Sequence, residues 1–391
     1  MMRKALIIIA CLFLLGCSNS HSQPYEDDEN EKVTQPNEIH DTVSEETKEN
    51  GSGTDSTNTS KTNDMNTLGK FPEMLMAVEN GGDKIGLYDF GTQQFTPAID
   101  SGKYWLCRYI PEKESIVYVQ KRQVLIYDMK TKKTRELVSI GEKEEWGTDF
   151  YVSPQGTELI FTTTIYPDEG SFLYIVNLEN GDHHKFDNIA RAVWWGQRII
   201  ACEVIVDNIN KARTDSHLVV IEPHTYKSSI FSQAVSQIDS IIPLKDSIII
   251  EGVKKQEKAK KPEDQLKGLY VLNKEGEIEK TIFEGTREEY SHIDRLDYSK
   301  DFSKAVYTVS DTAHGGKYKV FLVNSKDSQP ELIFEDEYID FPNISEDGKY
   351  IAFQKGSSSK SQILIYDIEK QEQYEITPNL SDGESFIFYD W

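Results

Sequence analysis

Four aspartates stand at equivalent places in a repeating pattern and could together form a ring of carboxylates. They are Asp149, Asp239, Asp294 and Asp340, and each precedes a short segment that we predict to be a strand. Hard cations prefer carboxylate oxygens as ligands, so such a ring could hold a divalent ion. Aspartate also caps turns locally, and no EF-hand-like spacing is present. We keep the four as metal candidates but predict neither a bound metal nor another cofactor.

A run of lysines and one tryptophan could contact a partner. Lys254, Lys255, Lys258, Lys260 and Lys261 form a dense basic run in a chain whose formal charge is -23. Such a run suits an anionic partner, and a solvated loop is the alternative. Trp146, in a predicted loop before a strand, is an aromatic contact candidate. Cys107 and Cys202 show no metal-ligand spacing, and we expect two buried free thiols.

The elements that must position these residues repeat along the chain. Apolar segments such as QVLIYDM (123–129) and QILIYDI (362–368) recur at spacings of about 39 to about 51 residues. A second apolar segment precedes each one, as YIAFQKG precedes QILIYDI. With an inner and an outer strand added, each unit makes a four-stranded antiparallel blade, and the spacing is typical of β-propellers.

The units predict an all-β fold in which residues 71–391 form a β-propeller. We count seven four-stranded blades, with six as the alternative. The first unit lacks an inner strand, whereas ESFIFYDW (384–391) is a strand left over at the end. We therefore expect the C-terminal strand to pair with the first blade and close the ring, which leaves no sheet edge open.

The last unit carries a turn-and-strand motif that resembles the TolB-like, or WD40-like, β-propeller repeat. The matching residues are Ser345, Asp347, Gly348, Lys349, Ile351, Phe353, Tyr366, Asp367, Ile376 and Thr377. Ser153, Pro154 and Gly156 match in the third unit, whereas several other turns lack the glycine. Among such proteins the chain looks most like the YqgU-type propeller lipoproteins of bacilli. That resemblance implies a propeller carried on a lipid anchor.

The N-terminal segment resembles a bacterial lipoprotein signal. An apolar run of about eleven residues ends in Leu-Leu-Gly-Cys, with Cys17 last. The resemblance implies a signal peptide over 1–16 and lipidation of Cys17; an ordinary secretory signal is the alternative. Residues 17–70 are polar and predict a disordered tether. We therefore expect the protein at the cell membrane, anchored by lipid on its extracytoplasmic face.

The loops between the second and third strands of each blade indicate where a partner would bind. They lengthen at 164–171, 206–216, 253–267 and 310–319, while the turns on the opposite face stay short. Insertions clustered on one face favour that face for binding. The acidic balance argues against nucleic acid as a partner. We expect a monomer that binds an unknown protein or cell-wall ligand on the long-loop face.

Contiguous catalytic motifs are absent from the sequence. It contains no Gly-x-Ser-x-Gly, no His-Glu-x-x-His and no phosphate loop. We therefore predict that the protein is not an enzyme but a non-catalytic binding or assembly module. One alternative is a sensor that binds carbohydrate or a cell-wall polymer. The other is a propeller hydrolase or lyase that uses channel carboxylates.

Overall fold

Short strands separated by tight turns make up nearly all of the described chain. The computed structural model describes residues 69–79, 84–100, 106–165, 170–206, 213–255, 265–286, 292–311, 317–356, 362–378 and 385–390. The predicted signal peptide and nearly all of the predicted tether lie outside these ranges. Within the described ranges, no helix is long and apolar enough to span a membrane.

The strands in chain order are β1 (Met74–Glu79), β2 (Lys84–Asp89), β3 (Gln94–Asp100), β4 (Cys107–Ile110), β5 (Ser115–Gln120), β6 (Gln123–Asp128), β7 (Lys133–Ser139), β8 (Glu144–Val152), β9 (Glu158–Ile165), β10 (Gly170–Asn177), β11 (His183–Asp187), β12 (Ile189–Trp195), β13 (Arg198–Val206) and β14 (Arg213–Glu222). They continue as β15 (Lys227–Ser232), β16 (Val235–Pro243), β17 (Ile248–Lys254), β18 (Lys267–Leu272), β19 (Ile278–Gly285), β20 (Ile293–Tyr298), β21 (Lys304–Asp311), β22 (Lys317–Asn324), β23 (Pro330–Asp336), β24 (Ile339–Ile344), β25 (Tyr350–Lys355), β26 (Gln362–Asp367), β27 (Glu372–Ile376) and β28 (Ser385–Asp390). A short 3-10 helix, Pro111–Lys113, joins β4 to β5.

Seven four-stranded antiparallel sheets form the blades of a β-propeller. Blade 1 has the order β28-β1-β2-β3, and blades 2 to 7 are β4–β7, β8–β11, β12–β15, β16–β19, β20–β23 and β24–β27. The predictions of seven blades and of ring closure are both confirmed. The closing strand β28 pairs antiparallel with β1, with Met76 opposite Phe388 and Ala77 opposite Ile387.

The hydrophobic core lies between neighbouring blades rather than in one central mass. Ile249 and Ile250 of β17 are both buried although they point to opposite faces of the sheet. Each face packs on an adjacent blade, which explains why the strands are continuous apolar runs instead of alternating ones. Cys107 and Cys202 are both buried and neither forms a disulfide, as expected.

The turn between the inner strand and the second strand is built alike in at least three blades. Ser345 Oγ accepts hydrogen bonds from the backbone N–H groups of Lys349 (3.2 Å) and Tyr350 (3.0 Å). Gly348 supplies the left-handed conformation with φ +67°. In blade 6, whose turn lacks glycine, Phe302 adopts φ +58° at the equivalent place. The hydroxyl of Ser299 accepts the backbone N–H of Lys304 there, at 3.1 Å.

Candidate functional site

The inner strands are irregular where they line the central channel. The pairing register shifts between Trp146 and Phe150 in β8, and between Ser236 and Ser240 in β16. Similar shifts occur in β12, β20 and β24. A bulge adds residues to one strand and turns their side chains away from the regular alternation. These bulges give the channel polar side chains that a regular apolar strand would not supply.

The four predicted aspartates lie inside these strands, which corrects the expectation that they precede them. Asp149 and Asp239 belong to the bulges of β8 and β16, and Asp294 belongs to that of β20. Trp146 also lies in β8 rather than in a loop before it. The sequence pattern placed the strand starts too late, because a bulge interrupts the apolar run that marks a strand. Asp340 lies in β24, opposite Gln354, and its side chain is outside the described set.

A cavity of about 180 Å³ opens at the end of the channel where the inner strands begin, and we call it the loop-side chamber. Its lining comes from six blades: Leu106, Arg108, Thr148, Asp149, Tyr151, Arg191, Val193, Asp239, Ser240, Ile241, Ile293, Asp294, Arg295, Leu296, Pro342 and Asn343. Three of the four predicted aspartates therefore meet in one cavity. The chamber lies on the face of the long loops, whose segments 166–169, 207–212, 256–264 and 312–316 are outside the described residues.

Guanidinium groups are concentrated in this chamber. The chain contains nine arginines, and three of them, Arg108, Arg191 and Arg295, line the cavity. The Arg191 side chain connects three blades. Its Nε donates to the backbone carbonyl of Asp239 at 2.9 Å, and its Nη1 donates to the Thr148 hydroxyl. A fork of N–H donors held in this way is suited to planar acidic groups.

Asp149 is the buried carboxylate of the loop-side chamber and ties blade 3 to blade 4. Its Oδ2 accepts the backbone N–H of Ala192 at 3.0 Å and the hydroxyl of Thr162 at 3.2 Å. Arg191 Nη1 lies 4.0 Å from Oδ1. Burial raises the pKa of this carboxyl, and the arginine and the hydrogen bonds oppose that rise without cancelling it.

A second cavity of about 100 Å³, the turn-side chamber, lies toward the opposite face. Arg108 and Tyr151 line both chambers and so mark the boundary between them. The guanidinium carbon of Arg108 lies 5.6 Å from the Tyr151 ring centroid, and the Tyr151 and Tyr298 rings are 5.6 Å apart. These three side chains reach the boundary from blades 2, 3 and 6.

Asp297 lines the turn-side chamber from blade 6. Its Oδ2 accepts the backbone N–H of Ile344 at 2.9 Å, which ties blade 6 to blade 7 as Asp149 ties blade 3 to blade 4. Burial raises the pKa of Asp297 to about 6, and the charge of Arg108 opposes the rise. The sequence prediction missed Asp297 because it took Asp294, three residues earlier, as the channel carboxylate.

Two of the predicted partner-contact residues, Lys254 and Trp146, contact other residues of the propeller. Lys254 forms an ion pair with Glu284 at 2.8 Å, and its ammonium lies 4.9 Å from the Tyr270 ring centroid. Lys255 is exposed, while Lys258, Lys260 and Lys261 lie outside the described residues. Trp146 is partly buried, and its indole N–H donates to the backbone carbonyl of Lys121 at 2.7 Å. Lys254 and Trp146 therefore make contacts within the fold.

A further group of side chains joins one predicted metal candidate, Asp239, to two residues that the sequence prediction missed. Asp239, Glu251 and His292 bring possible metal-ligand atoms within 4.8 Å of one another. A signal for Glu251 was present, because it is the one charged residue in the apolar strand segment SIIIEGV. No sequence signal marked His292, because the other two residues of the cluster lie about 40 and 50 residues away in the chain.

The fold and the polar channel define a seven-bladed β-propeller protein with an open cavity at its loop-side end. No protein-family profile matches the chain, and no curated protein matches it. Solved structures do match. An oligogalacturonate lyase from Vibrio parahaemolyticus superimposes with a TM-score of 0.56 at 13% identity, over 77% of this chain and 88% of that one.

Two other solved propellers illustrate the range of proteins with this fold. The Pyrococcus horikoshii acylaminoacyl peptidase gives a TM-score of 0.53 at 12% identity, and the match covers 80% of this chain and 54% of that one. TolB from Acinetobacter baumannii gives a TM-score of 0.43 at 11% identity, over 82% of this chain and 81% of that one. At these identities the likeness establishes the fold alone.

These matches contradict the prediction that the protein is not an enzyme. The lyase and the peptidase are enzymes that carry this fold. The prediction rested on the absence of contiguous motifs, which is a poor test for a propeller. Because each blade contributes only a few residues to the channel, a propeller site is assembled from positions far apart in the sequence, and no short motif records it.

Proposed function

We propose that the protein is a lipid-anchored, extracytoplasmic propeller that binds an acidic oligosaccharide in its loop-side chamber. The observation that carries the proposal is the convergence of Arg108, Arg191 and Arg295 on one cavity in an otherwise acidic protein. A carboxylate on a sugar can accept paired hydrogen bonds from a guanidinium group. The aspartates of the same wall can accept hydrogen bonds from sugar hydroxyls.

The charges of the chamber support a ligand of mixed polarity rather than a simple anion. The lining contains three aspartates and three arginines, so its formal charges balance. The aspartates are Asp149, Asp239 and Asp294. A ligand with both hydroxyl and carboxylate groups satisfies both kinds of side chain. The structurally similar oligogalacturonate lyase acts on an acidic sugar polymer of this kind, which supports the proposed ligand class.

Calorimetric titration of the detergent-solubilised whole chain with oligogalacturonate tests the proposal, with a neutral galacto-oligosaccharide of equal length as the comparison. We expect saturable binding of the acidic sugar. Arg295→Ala should weaken it at least tenfold, because one charge-assisted hydrogen bond contributes about 1.5–3 kcal/mol. Arg198→Ala is the matched control, since Arg198 is exposed and lines neither chamber. Equal affinities of the two variants would refute the assignment.

A second candidate function, a lyase or hydrolase that uses channel carboxylates, is favoured by one observation. Asp149 lines the chamber, and burial raises the pKa of its carboxyl. A carboxyl with a raised pKa holds its proton to a higher pH and is a candidate proton donor. Mass spectrometry of the titration mixture for shortened sugars separates the two functions. Turnover that is lost in Asp149→Asn while binding persists would favour the enzyme.

The membrane anchor and the partner face are parts of the same proposal. Cys17 would carry the lipid, and the Leu-Leu-Gly-Cys sequence at the end of the N-terminal apolar run supports that assignment. The long-loop face, with Lys255 at its described edge, would meet a cell-wall or protein ligand as a monomer. Membrane fractionation of the wild-type chain and of Cys17→Ser tests the anchor. A variant that stays in the membrane fraction would refute it.

A further inference from the structure

A cluster of four charged or ionisable side chains lies at the edge of the loop-side chamber, between blades 5 and 6. Asp239 comes from the bulge of β16, Glu251 from β17, Lys267 from the start of β18, and His292 from the residue before β20. The Glu251 side chain is 0% exposed, whereas that of His292 is 51% exposed. Asp239 also lines the chamber, so the cluster faces the channel.

The ammonium group of Lys267 occupies the position where one cation contacts all three other members. Its Nζ pairs with the Asp239 carboxylate, lies 3.2 Å from Glu251 Oε1, and lies 2.9 Å from His292 Nδ1. Two carboxylates around one ammonium leave a net negative charge when the imidazole is neutral. The cluster is therefore one positive charge short of neutrality.

The hydrogen bonds around His292 cannot all be made at once. Its Nδ1 lies 3.0 Å from Glu251 Oε1 and 2.9 Å from Lys267 Nζ. If Nδ1 carries a proton, it can donate to the glutamate but then faces the ammonium; without the proton, it accepts from the lysine but faces the carboxylate. One ring nitrogen cannot serve both neighbours. A metal ion would remove the conflict, because it takes the lone pair of Nδ1 and the negative charge of Glu251 together.

An independent observation points to a ligand at this place. The second oxygen of the Glu251 carboxylate, Oε2, is buried and has no hydrogen-bond partner among the described residues. The Ser240 hydroxyl approaches this carboxylate closely enough to influence its ionisation but does not satisfy Oε2. Buried carboxylate oxygens without a partner are costly, and each needs an explanation.

We propose that Asp239, Glu251 and His292 bind one divalent transition-metal ion and that Lys267 is the cation that the ion displaces. Two carboxylate oxygens with one imidazole nitrogen are a ligand set suited to Zn²⁺ or Mn²⁺. Three protein ligands leave a coordination position free, which is the arrangement of catalytic rather than structural zinc sites. Since Asp239 also lines the loop-side chamber, a bound ion would lie at the edge of that chamber. The proposal does not depend on oligosaccharide binding.

Two titrations of the metal-stripped whole protein test the site. Binding of ZnCl₂ is measured by calorimetry, and binding of MnCl₂ is measured by the electron paramagnetic resonance signal of free Mn²⁺. We expect one ion per chain. Glu251→Gln and His292→Ala should each weaken binding more than tenfold, since the loss of outer-shell partners alone costs tenfold to a hundredfold. Lys267→Met should tighten binding, because it removes the competing ammonium. Asp294→Asn, a chamber carboxylate outside the cluster, is the matched control and should bind as the wild type does.

The outcomes separate the proposal from its alternatives even if one variant folds poorly. Glu251 is buried, so circular dichroism must first show that Glu251→Gln is folded. His292 is half exposed, and its replacement keeps the test decisive if Glu251→Gln unfolds. Absence of saturable binding to the wild-type chain would overturn the proposal. Equal affinity of His292→Ala and Asp294→Asn, or binding to Lys267→Met no tighter than to the wild type, would overturn it as well.

Discussion

Replacement of Asp297 by asparagine should stabilise the protein at alkaline pH, although it removes a charge that faces an arginine. Burial raises the pKa of this carboxyl from its usual 3.8 to about 6 despite Arg108. One pKa unit corresponds to about 1.36 kcal/mol, so the ionised carboxylate costs the folded state about 3 kcal/mol relative to the protonated form. Asparagine retains an oxygen that can accept the Ile344 N–H, which Asp297 binds at 2.9 Å.

The sign of the pH dependence follows from the direction of the pKa change. Because the folded pKa is the higher one, the contribution of Asp297 to stability is fully present below pH 3.8 and is lost as the pH rises through about 6. The free energy of unfolding of the wild type, relative to Asp297→Asn, should therefore fall by about 2 to 3 kcal/mol between pH 4 and pH 8. At pH 8 the variant should be the more stable protein.

Equilibrium unfolding in urea, followed by tryptophan fluorescence at several pH values, measures this difference. Urea is uncharged and so does not screen the interaction with Arg108. Asp294→Asn is the matched control, because Asp294 lies on the same strand and is exposed. The control should leave the pH dependence of the wild type in place. Parallel stability curves for the wild type and Asp297→Asn, or a less stable variant at pH 8, would refute the reasoning.

Three further substitutions test the contacts that hold the ring together, and urea unfolding measures the effect of each. The control is Ile230→Ala. The Ile230 side chain is 59% exposed, so its loss should change the free energy of unfolding by no more than about 0.5 kcal/mol. Asp149→Ala should cost about 2–4 kcal/mol, because the buried backbone N–H of Ala192 and the buried hydroxyl of Thr162 lose their acceptor; a cost below 1 kcal/mol would contradict the link between blades 3 and 4. Phe386→Ala should cost about 3–5 kcal/mol, since this ring is buried on the closing strand β28; a neutral effect would mean that β28 does not close the ring. Ser345→Ala should cost about 1–2 kcal/mol, because two backbone N–H groups lose their acceptor; a stability equal to that of the control would count against the role of the turn hydroxyl.

The turns show where local sequence patterns succeed and where they mislead. The Ser-x-x-Gly turns at Ser153 and Ser345 form as their sequences indicate, because the serine hydroxyl and the glycine conformation are properties of four or five adjacent residues. The equivalent turn at Ser299 also forms, although Phe302 must adopt a positive φ there. The Phe302 ring is buried beside Tyr298, at 5.4 Å between centroids. The packing of the Phe302 ring compensates for the unfavourable positive φ of this residue.

The sequence by itself indicated the blades and the closing strand and favoured seven blades over six, and the structure decided the number. The blades can be predicted because apolar periodicity and turn residues are properties of residues adjacent in the sequence. The closing strand can be predicted because the first unit lacks an inner strand and the C-terminal end has one strand too many. The sequence also marked Asp149, Asp239 and Asp294 as channel residues. It did not show which groups they would meet, because Arg191 reaches Asp239 and His292 reaches Glu251 only after successive blades pack together. The chamber and the cluster of Asp239, Glu251 and His292 are therefore products of ring closure and of the bulges that turn a few side chains toward its axis.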